Sequence, residues 1–404
     1  MGGDQAAARE HRPARGAAAR AGLQHQGPPG AVGVGRLRFG SPAEAGLDAA
    51  LAARIVPAAE AFLDGPDAAY PGFVLLAARH GVVVAHEARG FAVRHGGESV
   101  PMRADTVFDL ASLSKLYTAV VVVRLAERGL LGLDEPVGRW LPAFRGAELT
   151  ARRLLTHTSG LPAWLDLEPY ADDAARLAAI AGLRTTDEPV GGEGGYRYSD
   201  LGLIVLGALA ERATGRGLDA LVAELVTGPL GLADTRYNPP AAWRERIAAT
   251  EYQPWTGRGM VRGSVHDENA YRMGGVAGHA GVFATAWDVA VLAQTMLDGG
   301  RYGGKRLLGE RWVREMVTDH NGGLGEGAAR GLGWQLNQPS YMGRLASPTA
   351  FGHTGFTGTS VVADAATGVL LVLLTNRVHP GRDRGRDGAY RLAPAAALAA
   401  AAGL

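Results

Sequence analysis

Asp109-Leu110-Ala111-Ser112-Leu113-Ser114-Lys115-Leu116-Tyr117-Thr118-Ala119-Val120 sets a serine three residues ahead of a lysine, at the head of an apolar run. The segment from Thr106 to Arg128 is long enough for a helix, and Gly129 supplies a stop. Residues three apart on a helix stand one above the other, so Ser112 and Lys115 are expected to share a face. A helix start also carries free backbone N–H groups that favour developing negative charge. A hydroxyl with a basic group beside it, placed there, suits covalent catalysis.

Lysine is scarce in this chain. Of 41 basic residues, Lys115 and Lys305 are the lysines and the other 39 are arginine. Arginine keeps its charge, whereas a desolvated lysine can give up its proton and act as a base. The plain reading of a Ser-x-x-Lys is a solvated lysine on a helix. Where arginine does nearly all the charged work, a lysine kept at this spacing points instead to proton transfer.

The 404 residues allow a large core, as two or three domain units or one two-lobed enzyme. Apolar residues are 47% and charged residues 20%, ordinary for a globular protein. A net charge of +1 gives no reason to expect nucleic acid or an anionic membrane as partner. The absence of cysteine excludes disulfides, thiolate nucleophiles and Cys-ligated metals without fixing the compartment. Residues 1–40, rich in Ala, Gly, Pro and Arg, read as a disordered tail. They contain no apolar signal core with a cleavage site, and no stretch of about 18 apolar residues occurs anywhere. The expectation is a cytoplasmic protein with no membrane span, with export left open. Oligomeric state is also left open.

Leu47 to Leu63 has helical spacing. Gly72 to Ala78 and Val82 to Glu87 flank Arg79-His80-Gly81 as a hairpin. From about 130 to 319 the pattern is mostly helical, with helices expected over 170–183, 201–213, 285–297 and 308–318, and a polar loop over 185–195. Strand signals return at Gly333–Leu336, Phe351–Thr354, Thr359–Ala363 and Gly368–Thr375, and a final helix begins near Tyr390. The order predicts an α+β fold over 41–404. One antiparallel sheet would be built from both chain ends (41–110 and 320–404) and flanked by helices, with a helical lobe (111–319) between.

Two further motifs follow Ser112 and Lys115 in order. Tyr198-Ser199-Asp200 lies at a loop-to-helix junction, where Ser199 or Asp200 could cap the helix. His353-Thr354-Gly355 lies on a strand. Each alone has an ordinary structural reading: a core tyrosine, a cap, a strand histidine. All three fall where elements begin or end, and clefts form there. Together they resemble the serine β-lactamase and penicillin-binding-protein superfamily, with its Ser-x-x-Lys, middle motif and Lys-Thr-Gly strand. Tyr198-Ser199-Asp200 is similar to the Tyr-x-Asn of the class C branch, which includes esterases and D-peptidases. The likeness runs from about Gly40 to the C-terminus, through Leu154–Pro162, Arg262–Ala270, Gly274–Gly281 and Leu373–Pro380.

The resemblance implies a β-lactamase/transpeptidase-like fold with the serine in a cleft between two lobes. Ser112 would form an acyl-enzyme, with no cofactor and no metal. Lys115, its pKa lowered by partial burial, and Tyr198 would share the acid and base work. The backbone N–H groups of Ser112 and Phe356 would form the oxyanion hole, and Asp200, His353, Thr354 and Gly355 would bind the substrate. Two departures stand out. Asp200 puts a carboxylate acceptor where the family has an amide, and His353 puts a group that titrates near neutrality where it has a lysine. Both weaken binding of a β-lactam carboxylate and favour a D-Ala-D-Ala carboxypeptidase-like or esterase activity on a small ester or peptide. A true β-lactamase, or a non-catalytic relative that only binds peptide, is the alternative.

Other motifs carry less. Gly299 to Lys305 approaches a phosphate-binding loop, but Arg306 stands where a Ser or Thr would hold Mg²⁺. No Gly-x-Ser-x-Gly elbow is present. His266-Asp267-Glu268 with His279 lacks the His-Glu-x-x-His spacing of a zinc enzyme and reads as a hydrogen-bonded loop, with His157 as a second loop organiser.

Overall fold

The structure, a computed structural model, describes residues 35–65, 68–145, 148–183, 195–325, 327–385 and 387–404. Residues 1–34 of the tail expected over 1–40, and nearly all of the expected 185–195 loop, lie outside the described residues.

Eight strands form the main sheet: β1 (Arg38–Phe39), β2 (Gly72–Arg79), β3 (Val82–His95), β4 (Glu98–Pro101), β5 (Gln335–Leu336), β6 (Ala350–Thr354), β7 (Ser360–Asp364) and β8 (Val369–Thr375). Their order is β1-β3-β2-β8-β7-β6-β5, with β4 on β3. Both chain ends contribute, as the sequence order implied. The sheet is mixed rather than wholly antiparallel, because β1 runs parallel to β3 through Arg38 and Val82. Leu37 is buried beside it, so part of the stretch expected to be tail belongs to the fold.

Period-two alternation decides what each face of the sheet covers. On β2 and β8, Phe73, Leu75, Val369, Leu371 and Leu373 pack with Ile55 from the short helix Ile55–Glu60 and with Tyr390 and Leu398 from the C-terminal helix Ala389–Ala401. Val74, Leu76, Leu370, Val372 and Leu374 face the opposite way, into the larger core. The helix Ala286–Leu297, placed by sequence order in the helical lobe, lies against β2, β7 and β8 instead. The second apolar face of a two-sided sheet needs a cover, and this helix supplies it. The lobes therefore do not divide at residue 319.

In the helical region Ser114–Glu127 packs against Asp200–Thr214. Every residue from Ser114 to Val123 is buried, the expected outcome for a helix that is apolar all round. The helix Asp200–Thr214 is also crossed closely by the 274–281 loop. A Cβ on Gly278 would lie 1.9 Å from the Leu203 carbonyl oxygen. Only glycine permits that approach, and it brings the Gly278 and His279 carbonyls to the Ser114–Glu127 helix.

Candidate active site

The helix expected over Thr106 to Arg128 is broken at its start. Phe108–Asp109 is a strand, Ala111–Leu113 a single 3₁₀ turn, and the α-helix begins at Ser114. Ala111 has φ 47°, left-handed and costly for a residue with a Cβ. Asp109 offsets that cost, its Oδ1 accepting from the Ala111 N–H at 2.8 Å and its Oδ2 from the His266 N–H at 2.6 Å. The turn is also held from the loop that joins β6 to β7. Thr357 Oγ1 donates to the Asp109 carbonyl and Thr359 Oγ1 to the Leu110 carbonyl, at 2.8 and 2.9 Å. Ser112 and Lys115 share a face across this junction.

Lys115 Nζ donates to Ser112 Oγ at 2.6 Å, lies 2.8 Å from Asp200 Oδ1 and donates to the His279 carbonyl at 3.2 Å. The side chain is 1% exposed. Burial, the largest single influence, would lower its pKa. The Asp200 carboxylate and then Tyr198 overcome it and hold the ammonium above the usual lysine range. The lowered lysine pKa expected from burial alone does not occur, because the expectation gave no partner to Asp200.

Tyr198 stands over this pair, with Lys115 Nζ 5.0 Å from its ring centroid. His157 organises the Tyr198-Ser199-Asp200 junction: its ring lies 4.5 Å from that of Tyr198 and its Nδ1 accepts from the Ser199 N–H at 3.1 Å. Ser199 caps the Asp200–Thr214 helix, its Oγ accepting from the Gly202 N–H and donating to the Pro162 carbonyl. Asp200 is thereby fixed as the first helical residue, with its carboxylate on Lys115 rather than on the cavity wall.

His353 is 1% exposed and does not line the cavity. Its Nδ1 donates to the Thr354 carbonyl at 2.8 Å, so Nε2 carries the lone pair, buried and without a hydrogen-bond partner among the described residues. Burial, followed by the Lys115 ammonium, pushes its pKa down to about 3. It is a buried neutral group at neutral pH, not one titrating there. Thr354, Gly355 and Phe356 do line the cavity. Gly355 N–H donates to the Thr359 carbonyl at 2.8 Å, while the N–H groups of Ser112 and Phe356 meet no protein acceptor among the described residues.

Ser112 opens onto a cavity of about 740 Å³. Sequence reasoning missed its charged lining: Arg330, Arg377, Arg382 and Arg391, with no Asp or Glu among the described lining residues. Arg382 is paired with Glu251 and Glu268. Arg330, 5% exposed, donates to the Gly327 and Ala329 carbonyls at 2.9 and 2.8 Å and to the Tyr196 hydroxyl. Neither Arg330 nor Arg391 has a carboxylate within ion-pair range among the described residues, and the Nε of each is buried and unpartnered. Among so many arginines these two had no local motif to set them apart.

The His266–Glu268 loop hydrogen-bonds in pairs. His266 Nε2 meets Glu251 Oε2 and His279 Nε2 meets Asp267 Oδ1, both at 2.9 Å. No set of three metal-ligating side chains gathers at one point among the described residues. Asp267 also caps the Glu268–Arg272 helix.

A sheet covered on both faces, beside a helical region, with Ser112 at the cavity between motifs two and three and Lys115 buried behind it, defines the β-lactamase-fold class of hydrolases. The chain belongs to the beta-lactamase family, whose model matches residues 52–396. It is 34% identical over 356 residues, 78% of this chain and 80% of the other, to a protein of Escherichia coli (strain K12) named "Putative D-alanyl-D-alanine carboxypeptidase". Among solved structures it is similar to EstCE1, described as a hydrolase with promiscuous acyltransferase activity. That match has a TM-score of 0.66 at 26% identity, over 86% of this chain and 98% of that one. A class C beta lactamase from Rhodobacter sphaeroides shares the fold, with a TM-score of 0.67 at 21% identity over 85% and 97% of the chains.

Proposed function

We propose that this protein is a serine hydrolase that cleaves an amide or ester next to a carboxylate, of the D-Ala-D-Ala carboxypeptidase type, through an acyl-enzyme on Ser112. The observation that carries the reading is a nucleophile–amine pair at 2.6 Å, facing a cavity whose charged lining residues are all arginine. A buried guanidinium with no counter-charge is unfavourable until a ligand supplies one. A substrate carboxylate fits that need, and a neutral ester does not. Ser112 Oγ attacks the carbonyl carbon while the Ser112 and Phe356 N–H groups receive the developing oxyanion. Lys115 and Tyr198 manage the proton that leaves Oγ and reaches the departing group. Water then attacks the acyl carbon and releases Ser112.

A fluorophosphonate probe should add to the wild type and not to Ser112→Ala; adduct mass that persists in Ser112→Ala overturns the assignment. Among substrates, a peptide ending in D-Ala-D-Ala should be cleaved at least about tenfold faster, in kcat/KM, than its C-terminal amide. That ratio corresponds to about 1.4 kcal/mol of transition-state discrimination. Equal rates would favour the esterase reading, and fast turnover of a chromogenic cephalosporin alone would favour a β-lactamase.

A further inference from the structure

The peptide that joins Gly355 to Phe356 has two polar ends. Phe356 lines the cavity with Ser112, and its N–H meets no protein acceptor among the described residues. The Gly355 carbonyl accepts two bonds, from the Gly358 N–H at 3.1 Å and from Arg391 Nη2 at 3.0 Å. A peptide is planar and trans, so its C=O and N–H point in opposite directions. Fixing the carbonyl therefore aims the N–H. We propose that Arg391 is a positioning residue of the oxyanion hole, which through the Gly355 carbonyl aims the Phe356 N–H and strengthens it as a donor. This rests on the acyl-enzyme reading and adds a residue to it.

A cation on the carbonyl polarises the whole peptide, and hydrogen bonds in series strengthen one another. The order guanidinium, C=O, N–H, oxyanion is aligned throughout, so charge developing on the substrate oxygen meets a dipole already oriented. Arg391 suits this task because no carboxylate among the described residues pairs with it and cancels its field. Arg382, paired with Glu251 and Glu268, lacks that freedom.

The guanidinium is itself held in place. Arg391 sits in the first turn of the Ala389–Ala401 helix, with its Cζ 4.6 Å from the Tyr390 ring centroid. Its Nη2 also reaches the Thr359 carbonyl at 3.4 Å, which accepts the Gly355 N–H at 2.8 Å. Arg377 acts on the next peptide, its Nη2 and Nε donating to the Phe356 carbonyl at 2.6 and 3.3 Å. The carbonyls on both sides of Phe356 Cα are thus tied to arginine, while the N–H between them faces no protein acceptor.

Arg391→Met keeps an apolar stem and gives up the guanidinium. Gly-Phe pairs occur at Phe73, Phe91 and Phe356, so glycine labelled with ¹³C at its carbonyl and phenylalanine labelled with ¹⁵N select those amides. Phe73 and Phe91 lie in β2 and β3 and serve as references; loss of one signal in Phe356→Tyr assigns the third. In Arg391→Met the Phe356 proton should move upfield while the references stay. A second readout compares a short-chain ester with its thionoester, whose sulfur is a poor hydrogen-bond acceptor. The ester-to-thionoester ratio of kcat/KM should fall at least about tenfold in Arg391→Met, with KM for the ester nearly unchanged. Arg391→Lys, which keeps a charge and a donor, should fall between. An unmoved Phe356 signal or an unmoved ratio overturns the proposal. So does a raised KM with kcat kept, which would make Arg391 a substrate ligand instead. If Arg391→Met does not fold, Arg391→Gln, with an N–H but no charge, is read in the same way. If neither ester is turned over, the amide signal alone decides. If that signal moves while fluorophosphonate labelling of Ser112 fails, the acyl-enzyme reading falls and the hold of Arg391 on the peptide stands.

Discussion

Gly355 shows how tightly the nucleophile is tied to the third motif. A Cβ there would lie 2.1 Å from Thr359 Oγ1 and 2.5 Å from the Leu110 carbonyl oxygen. These atoms form the hydrogen bond that holds the turn before Ser112. Gly355→Ala should therefore separate the two, costing about 1–3 kcal/mol by overpacking and about 100-fold in acylation rate from misplacement. Urea unfolding and stopped-flow acylation would check both, and a rate loss no larger than the stability loss implies would refute the tether. Glycine in a His-Thr-Gly run could be read from sequence as part of a motif. The reason for it could not, because the Leu110 carbonyl oxygen it must avoid belongs to a distant part of the chain, before the nucleophile. The same holds for Asp109, whose two carboxylate oxygens serve Ala111 and His266.

The boundaries of the elements carry the site more than their interiors do. Ser199 is the N-cap that makes Asp200 the first residue of its helix, and it also reaches the Pro162 carbonyl at 2.6 Å. Ser199→Ala should cost about 1 kcal/mol through the lost cap. It should also loosen Asp200 from Lys115, so kcat should fall while KM holds; unchanged kcat would show that the cap is only structural. Most helices and all four C-terminal strand segments were legible, because their apolar periodicity is a local property. The Ser112 junction was not. The sequence read as one helix from Thr106, but Asp109 and the hydroxyls of Thr357 and Thr359 hold a left-handed Ala111 and a 3₁₀ turn there. Tertiary contacts override local propensity at this point. The Ala286–Leu297 helix was legible as a helix, while its place on the sheet follows from which face needed covering.

For the whole molecule, several histidines are buried in the neutral form. His353 is pushed down to about 3 and His379 to about 4, in both cases by burial first, and His157 is also held well below its usual range by burial. An unfolded histidine takes up a proton near pH 6.5, so below that pH the unfolded chain binds more protons than the folded one. Stability should then fall with pH from about 6.5, by about 1.4 kcal/mol per pH unit for each such histidine, until its folded pKa is reached. Glu251 adds a later loss. Burial alone would raise its pKa, but His266 and Arg382 bring it down to about 2, so its share disappears as pH falls from the ordinary carboxylate range toward that value. Thermal melts between pH 8 and 4 would test this, with a melting temperature flat down to pH 5 as the contrary result. No helix among the described residues is long and apolar enough to cross a membrane. The uneven use of the two cationic side chains also has a practical side. Amine-directed reagents meet one lysine that is open to solvent and one that is sealed and hydrogen-bonded. Besides the α-amine, conjugation to a bead or a dye should fall on Lys305 alone and leave the nucleophile's partner unmodified.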